Sequence, residues 1–163
     1  MTERWVLNAS PLIVLARIGQ EHLFCALADE LVIPRAVATE IESGPANDPA
    51  RQIIASGEWT IVEVVPVPEV MAWDLGAGET AVLSYALREP GWTVVLDDAA
   101  ARKCARSFGL RIKGTLGVLI LARQRGLISS AADVLRSLLN IGFRLDENII
   151  REALYRTVGE KWE

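Results

Sequence analysis

Four places in the sequence carry side chains that could form a metal-dependent catalytic site. They are Asn8 with Ser10, Glu40, Glu79, and the adjacent pair Asp97 and Asp98. If these side chains converge, they form a carboxylate cluster without histidine, and such oxygen-rich clusters suit Mg²⁺ or Mn²⁺. A bound divalent ion orients and activates water and neutralises the charge that develops on a phosphate. The natural substrate of this chemistry is a phosphodiester.

Each of these acids also has a structural interpretation. Either Asp97 or Asp98 singly fits the N-cap of the following helix. Glu79 falls in a first helical turn, where the helix dipole favours a negative charge. Glu40 fits a charged helix face beside Glu42. Two aspartates together after an apolar strand favour a functional role for that pair.

The composition excludes several other kinds of site. The only histidine is His22, which leaves no site built on several imidazoles. The two cysteines, Cys25 and Cys104, are far apart and form no CxxC pair, so neither a disulfide framework nor a structural zinc site is expected. We expect both to be small buried apolar residues in a reduced compartment.

The charge is distributed unevenly along the chain. The whole chain carries a formal charge of −4, yet residues 99–132 contain seven basic residues and no acidic one. Arg102, Lys103 and Arg106 follow Asp98 directly. This segment is either a set of solvated helix faces or a patch that faces phosphates. The net acidity argues against a general polyanion binder.

Short apolar runs alternate with helical patterns along the chain. Strands are predicted at 5–8, 31–33, within 59–67, in GWTVVLDD and in GLRIKG. Pro66 and Pro68 confine the third to a sheet edge or an extended segment. The first helix is predicted to begin after Ser10, which would cap it. Further helices are predicted at 22–27, 35–42, 49–56, 130–140 and 147–157, and in the segments LGAGETAVLSYAL, AAARKCARSF and TLGVLILARQRG. This alternation is typical of an α/β fold with a parallel sheet.

The length of 163 residues predicts a single domain. No apolar run reaches the ~18–20 residues of a membrane span, and the N-terminus does not resemble a secretory signal, so we expect a cytoplasmic chain without a membrane segment. The apolar residues of the C-terminal helices, at about 129–157, either pack on the core or face a second chain.

The order of the motifs resembles the PIN domains, a family of small metal-dependent nucleases. The matching segments are NASPLIVLARIGQEHL, VIPRAVATEI, LGAGETAVLSYAL, VVLDDAAARKCARSFGL and GTLGVLILARQRGLI. Together they are similar to a branch of small prokaryotic PIN-like proteins related to VapC-type toxins. The resemblance runs from about residue 4 to 157 and implies a central parallel sheet of about four to five strands with helices on both faces.

The resemblance also implies roles for particular residues. It places Glu40, Glu79 and Asp98, with Asp97 as a neighbour, in an acidic pocket that binds Mg²⁺ or Mn²⁺ and cleaves RNA. Asp98, Glu79, Asp97 and Asn8 are then the expected metal ligands, and Ser10 matches the family's hydroxyl residue near the first strand, where we expect it to bind substrate. The charge pattern, independently of the resemblance, adds Arg102, Lys103 and Arg106 as residues expected to hold flanking phosphates of the substrate. An antitoxin protein and a second copy of the chain are the protein partners that the resemblance implies.

The sequence departs from the family pattern at Asn8, where the resemblance predicts an aspartate. An amide oxygen can ligate a hard cation, but it brings no charge. Two main hypotheses follow: a metal-dependent endoribonuclease, of the toxin kind, or a catalytically weakened PIN-like module that binds nucleic acid or protein. A third is an unrelated phosphotransferase with Asp97 or Asp98 as its nucleophile.

Overall fold

The computed structural model describes residues 2–163, and within this range it contains five strands and ten helices. In chain order they are β1 Arg4–Leu7, α1 Ala9–Arg17, α2 His22–Leu27, β2 Glu30–Pro34, α3 Arg35–Glu42, α4 Pro49–Ala55, β3 Ile61–Val62, α5 Pro68–Met71, α6 Ala77–Arg88, β4 Thr93–Val95, α7 Ala99–Ser107, β5 Arg111–Lys113, α8 Thr115–Gln124, α9 Ala131–Asn140 and α10 Glu147–Val158. The chain therefore has the predicted α/β architecture.

The strands form one parallel sheet in the order β3-β2-β1-β4-β5, with helices packed around it. The central strands are short apolar runs, and Val6, Leu7, Val94 and Val95 are fully buried. Such continuous apolar strands are expected where both faces of a parallel sheet are covered. The sheet and the helices around it share one hydrophobic core.

The strand order creates a crevice between β1 and β4. The chain leaves β1 toward β2 on one side, whereas it leaves β4 toward β5 on the other. Ligands of open α/β sheets bind at such a switch point, outside the carboxyl ends of the strands. Asn8 directly follows β1, and Asp97 follows β4 by two residues. The topology therefore brings these two predicted site residues to the crevice.

Local signals explain where several helices begin and end. Asp48 accepts a hydrogen bond from the Ala50 amide at 3.0 Å and caps α4, which has Pro49 in its first turn. Asp146 caps α10 in the same way, and α10 ends at Gly159, whose φ of 68° is in the left-handed region. The predicted bounds of α2 and α3 agree with the structure.

Two local predictions were wrong, and a third was correct only in outline. Ser10 does not cap α1: the helix begins at Ala9 with Asn8 at the N-cap position, so Ser10 lies in the first turn. Cys25 is exposed, whereas Cys104 is buried as expected. The third strand is only two residues long, although it does lie at the sheet edge, and Pro68 begins the unpredicted single-turn helix α5.

The last two helices pack against α8. Leu135, Leu138, Ile150 and Leu154 are fully buried, whereas Ile149 is 54% exposed. Most of the apolar residues in this region therefore cover the core. Within residues 2–163, no helix is long and apolar enough to cross a bilayer.

Candidate active site at the strand ends

A cavity of about 460 Å³ opens at the carboxyl ends of β1 and β4. Its walls come from the start of α1, the start of α6, the β4–α7 turn and the connection between α9 and α10. The lining residues are Asn8, Ser10, Val14, Arg17, Glu79, Asp97, Asp98 and residues 141–144. We call this space the acidic cavity, and it gathers five of the residues predicted from sequence.

Backbone pairing holds the two sides of the acidic cavity together. The Asn8 amide donates to the Val95 carbonyl at 3.0 Å, which extends the β1–β4 ladder by one residue. This bond fixes Asn8 beside the turn that carries Asp97 and Asp98. The position of Asn8 is therefore set by the sheet.

Gly78, at the start of α6, brings Glu40 into the same neighbourhood. A Cβ atom at Gly78 would lie 2.7 Å from Glu40 Oε2 and 3.3 Å from Asn8 Oδ1. Both oxygens therefore approach the space that only a glycine leaves open. Glu40, which α3 carries, reaches this point even though it does not line the acidic cavity itself.

One of the two oxygens beside Gly78 lacks the partner that a buried acceptor normally has. Asn8 is 4% exposed, and its Oδ1 accepts no hydrogen bond from any residue between 2 and 163. A buried polar group without a partner costs about 1–3 kcal/mol. Burial and the nearby Glu79 carboxylate together raise the pKa of Glu40 above its ordinary value. The space beside Gly78 thus brings together an unpaired amide oxygen and a carboxylate whose ionisation is opposed.

The two aspartates after β4 have different surroundings. Asp97 is half-buried, and its two oxygens accept hydrogen bonds from the amide and the hydroxyl of Thr115, which begins α8. Asp98 is exposed and caps α7, because its Oδ2 accepts from the Ala101 amide at 2.9 Å. The capping interpretation therefore applies to Asp98, while Asp97 ties the β4 end to α8.

The acids surround the cavity without forming a closed cage. Among residues 2–163, no group of three or more His, Cys, Asp or Glu side chains is arranged to hold a metal ion. Mg²⁺, however, commonly binds through one or two carboxylates and keeps several waters. The unpaired amide oxygen of Asn8 and the exposed carboxylate of Asp98 fit an ion bound in this hydrated manner.

The basic residues predicted to bind substrate do not all reach the site. Arg102 and Arg106 line a second groove that adjoins the acidic cavity, whereas Lys103 is exposed and lines neither space. Ser10 is exposed at the cavity wall. Arg17 also lines the wall, but it pairs with the buried carboxylate of Asp48 at 2.8 Å.

Sequence reasoning missed two residues that the C-terminal helices bring to the cavity. Phe143 and Arg144 lie in the connection between α9 and α10 and line the cavity together with residues of α1 and α6. Lys113, at the end of β5, was likewise not assigned, although it lines the adjoining groove. The only local signal for Phe143 and Arg144 is that an aromatic and a basic residue stand side by side in the connection between two helices.

Comparison with protein families gives one match. A family model described as a PIN domain matches residues 4–160, which is nearly the whole chain. No curated protein matches the sequence.

Proposed function

The chain belongs to the PIN-domain family, and on that premise we propose that it is an endoribonuclease that uses Mg²⁺ or Mn²⁺ to hydrolyse phosphodiester bonds. The family has a nuclease-type fold. The proposal adds the substrate class, the metal and the residues that act in this chain. It treats residues 1–163 as one catalytic domain.

The observation that carries the proposal is the unpaired amide oxygen of Asn8. It is buried at the crevice between β1 and β4, beside the Glu40 carboxylate and in the wall of the acidic cavity. A fold does not keep an acceptor in this state without cost. A cation that binds there would offset that cost, because no group of residues 2–163 donates a hydrogen bond to Asn8 Oδ1.

The site residues divide into ligands, a base and positioning groups. Asn8, Glu79 and Asp98 would hold the ion, with Asp97 beside them. The ion supplies polarisation of the scissile phosphate and of the attacking water. Glu40 would act as the base toward water at the site, and burial and the Glu79 carboxylate raise its pKa above the ordinary value, which makes it a stronger base. Asp97 positions the β4–α7 turn through Thr115.

The basic residues beside the cavity would hold the substrate in line. Arg102 and Arg106 face the adjoining groove and would contact phosphates, and the Ser10 hydroxyl would contact the substrate at the cavity wall. Lys103 lines neither space and has no role in this proposal. The phosphotransferase hypothesis gains no support, since Thr115 engages both oxygens of Asp97 and Asp98 caps a helix.

A second candidate function rests on Asn8 itself. A neutral amide in place of the first-strand acid, together with the lack of a three-acid cage in residues 2–163, favours weak metal binding. The protein would then bind RNA or a protein without cutting it. The resemblance to VapC-type toxins adds three further proposals: toxin activity, an antitoxin partner and a homodimer. A cytoplasmic location is proposed from the sequence alone.

Cleavage of a panel of structured and unpaired RNAs, with Mn²⁺ and with EDTA, tests the proposal. Asp98→Asn is the informative variant, because asparagine caps a helix as well as aspartate does and only the charge is lost. We expect Mn²⁺-dependent cleavage by the wild type and little cleavage by Asp98→Asn. If neither the wild type nor Asn8→Asp cuts any RNA, while both bind RNA, the binding module is the correct function.

A further inference from the structure

Arg17 is a cation in the wall of the acidic cavity that no step of the proposed reaction uses. It ends α1, and with Ser10 and Val14 it lies on one face of that helix, which lines the cavity from the first turn to the last. The cavity encloses about 460 Å³, the size of a pocket for one small ligand. A phosphate group that enters it therefore shares one small space with Arg17 and with the expected ion ligands.

A buried carboxylate anchors the Arg17 side chain. The side chain of Asp48 is 5% exposed, and its Oδ2 accepts hydrogen bonds from Arg17 Nη2 at 2.8 Å and from Arg17 Nε at 3.3 Å. The other carboxylate oxygen accepts from the Ala50 amide at the start of α4. Both oxygens of Asp48 are thus in use, and the guanidinium is held through its Nε–Nη2 edge where α1 packs against α4.

The charge of the anchor is stable at neutral pH. Burial opposes the ionisation of Asp48, but the hydrogen bonds from Arg17 and from the Ala50 amide outweigh it and lower the pKa of Asp48. The carboxylate therefore stays ionised, and the ion pair with Arg17 persists under the conditions in which the enzyme would work.

The anchor leaves the other edge of the guanidinium open. Asp48 takes one N–H group of Nε and one of Nη2, and the remaining N–H groups form no hydrogen bond with residues 2–163. The Arg17 side chain is 42% exposed. Its open Nη1–Nη2 edge has the fork geometry that binds two oxygens of one phosphate.

The pair differs from the other ion pairs of residues 2–163. Asp48 is the most buried acid among the six pairs, and Arg17 is the only one of their six arginines that lines the acidic cavity. A buried ion pair contributes little stability over an apolar pair of similar size. Orientation of the guanidinium toward the cavity therefore explains the arrangement better than stability does.

We propose that Arg17 is a catalytic residue whose Nη1–Nη2 edge binds the phosphate in the acidic cavity, and that Asp48 is the positioning residue that holds it there. This inference rests on the proposed function for the identity of that phosphate as a phosphodiester. Water adds to the phosphorus, the bond from phosphorus to one ribose oxygen breaks, and Arg17 keeps its protons throughout. Its charge stabilises the negative charge that grows on the phosphate oxygens.

Variants that leave no unpaired charge in the interior separate this role from a structural one. Arg17→Gln alone strands the Asp48 carboxylate and destabilises the fold. The test therefore combines Arg17→Gln with Asp48→Asn, because asparagine still caps α4. Asp48→Asn alone keeps the guanidinium and removes only its charged anchor. The matched control combines Arg35→Gln with Glu63→Gln, which removes an exposed pair joined at 3.0 Å outside the cavity.

Cleavage of RNA with Mn²⁺ measures the catalytic effect. The kcat of the Arg17→Gln and Asp48→Asn double variant should fall by about 10²–10³-fold, the usual effect of removing one donor to a developing charge. Its KM should be nearly unchanged, since the contact strengthens as the charge grows. Asp48→Asn alone should lower kcat by about tenfold to hundredfold, the effect of misplacing a catalytic group. The control variant should cleave as the wild type does, and thermal melting should show all variants folded.

A binding measurement tests Arg17 without cleavage. The ¹⁵N-labelled protein is titrated with inorganic phosphate in the presence of Mg²⁺, and NMR follows the side-chain N–H signals of Arg17 and Arg35, which Arg17→Lys and Arg35→Lys identify. The signals of Arg17 should shift to saturation, whereas those of Arg35 should stay unchanged. A purely structural ion pair would show no such response to phosphate.

The two proposals fail in different ways. If the Arg17 signals do not respond to phosphate, or if the double variant cleaves as fast as the wild type or no more slowly than the control, the Arg17 proposal is overturned even where RNA cleavage is observed. A raised KM with an unchanged kcat overturns the catalytic role as well. If the Arg17 signals shift as expected while the wild type never cuts RNA with Mn²⁺, Arg17 binds phosphate and the nuclease proposal falls.

Discussion

Two regions of the molecule place a carboxylate beside a helix N-terminus, and they treat it in opposite ways. At the C-terminal end, Glu160 accepts hydrogen bonds from the Ser130 hydroxyl and from the amides of Ala131 and Ala132, where α9 begins. Arg123 lies 3.7 Å from its Oε2. Burial opposes ionisation of Glu160, but these hydrogen bonds and Arg123 outweigh it and lower its pKa.

At the acidic cavity the corresponding groups have no such partners. Glu40 has a raised pKa because burial and Glu79 both oppose its ionisation, and Asn8 Oδ1 is buried without a donor. The difference indicates what each region is for. Acceptors that the fold satisfies, such as those of Glu160, stabilise the chain, whereas acceptors that it leaves unsatisfied are available to a ligand.

Removing the charge of Glu40 should give the largest effect on activity. Glu40→Gln is expected to lower the rate of RNA cleavage by about 10²–10⁴-fold, the usual contribution of a general base. The free energy of unfolding should be unchanged or slightly higher, because a repelled, partly buried charge is lost. Cleavage rates and urea unfolding measure the two effects. Glu42→Gln, on the same helix, is the control, and an equal loss in that variant would contradict a specific role for Glu40.

Asn8→Asp should lower the stability of the protein without metal, and added Mn²⁺ should remove that loss. Asn8→Asp places a further carboxylate in a position that is 4% exposed, so in EDTA the free energy of unfolding should fall by about 1–3 kcal/mol. Mn²⁺ should restore it, since a ligand that binds only the folded state stabilises that state. Melting temperatures with EDTA and with Mn²⁺ measure this. A variant that Mn²⁺ fails to stabilise beyond the wild type argues against a cation at Asn8.

The Glu160 region should respond in stability rather than activity. Glu160→Gln is expected to lower the free energy of unfolding by about 1–3 kcal/mol at pH 7, since it weakens charge-assisted hydrogen bonds to the start of α9. The pKa of Glu160 is lowered in the folded state, so its stabilisation is present above the ordinary value of 4.5 and is lost as the pH falls through the lowered pKa. The deficit of the variant should therefore shrink in unfolding measured below pH 4.5. A deficit that stays constant with pH would show that the charge is not responsible.

Gly78→Ala should have the smallest effect on stability and still affect the site. Alanine favours a helix over glycine by about 0.5–1 kcal/mol, whereas the new Cβ displaces the Glu40 carboxylate from 2.7 Å away. We expect a change of less than about 1 kcal/mol in the free energy of unfolding, together with at least a tenfold slower cleavage. In the background of Glu40→Gln the same substitution should add little. If the double variant loses cleavage activity by the full sum of the two single effects, Gly78 acts through a residue other than Glu40.

Much of the fold followed from local patterns. The bounds of α3 agree because Pro34 precedes it and Ser43 follows it, and the central strands agree because they are uninterrupted apolar runs. Ser10 was misassigned as a cap because Asn8, two residues earlier, is an equally good candidate by residue type. The exposure of Cys25 could not be predicted, since it depends on which face of α2 meets the core.

The candidate site was less accessible to prediction. Parallel strand ends indicated that Asn8 and the aspartate pair meet, but only the packing of α9 and α10 brings Phe143 and Arg144 to a cavity that begins with residue 8. The sequence likewise offered no basis for distinguishing Asp97, which Thr115 holds, from Asp98, which caps α7. Contacts between residues so distant in sequence leave no local pattern.

Calorimetric titration with Mn²⁺ tests most directly the claim that the acidic cavity is kept for a cation. The account predicts a single site in the wild type, binding at least tenfold weaker in Glu79→Gln, and binding unchanged in Glu160→Gln, whose carboxylate is already satisfied. Heat of binding that is absent in the wild type, or that falls in Glu160→Gln as much as in Glu79→Gln, would contradict it.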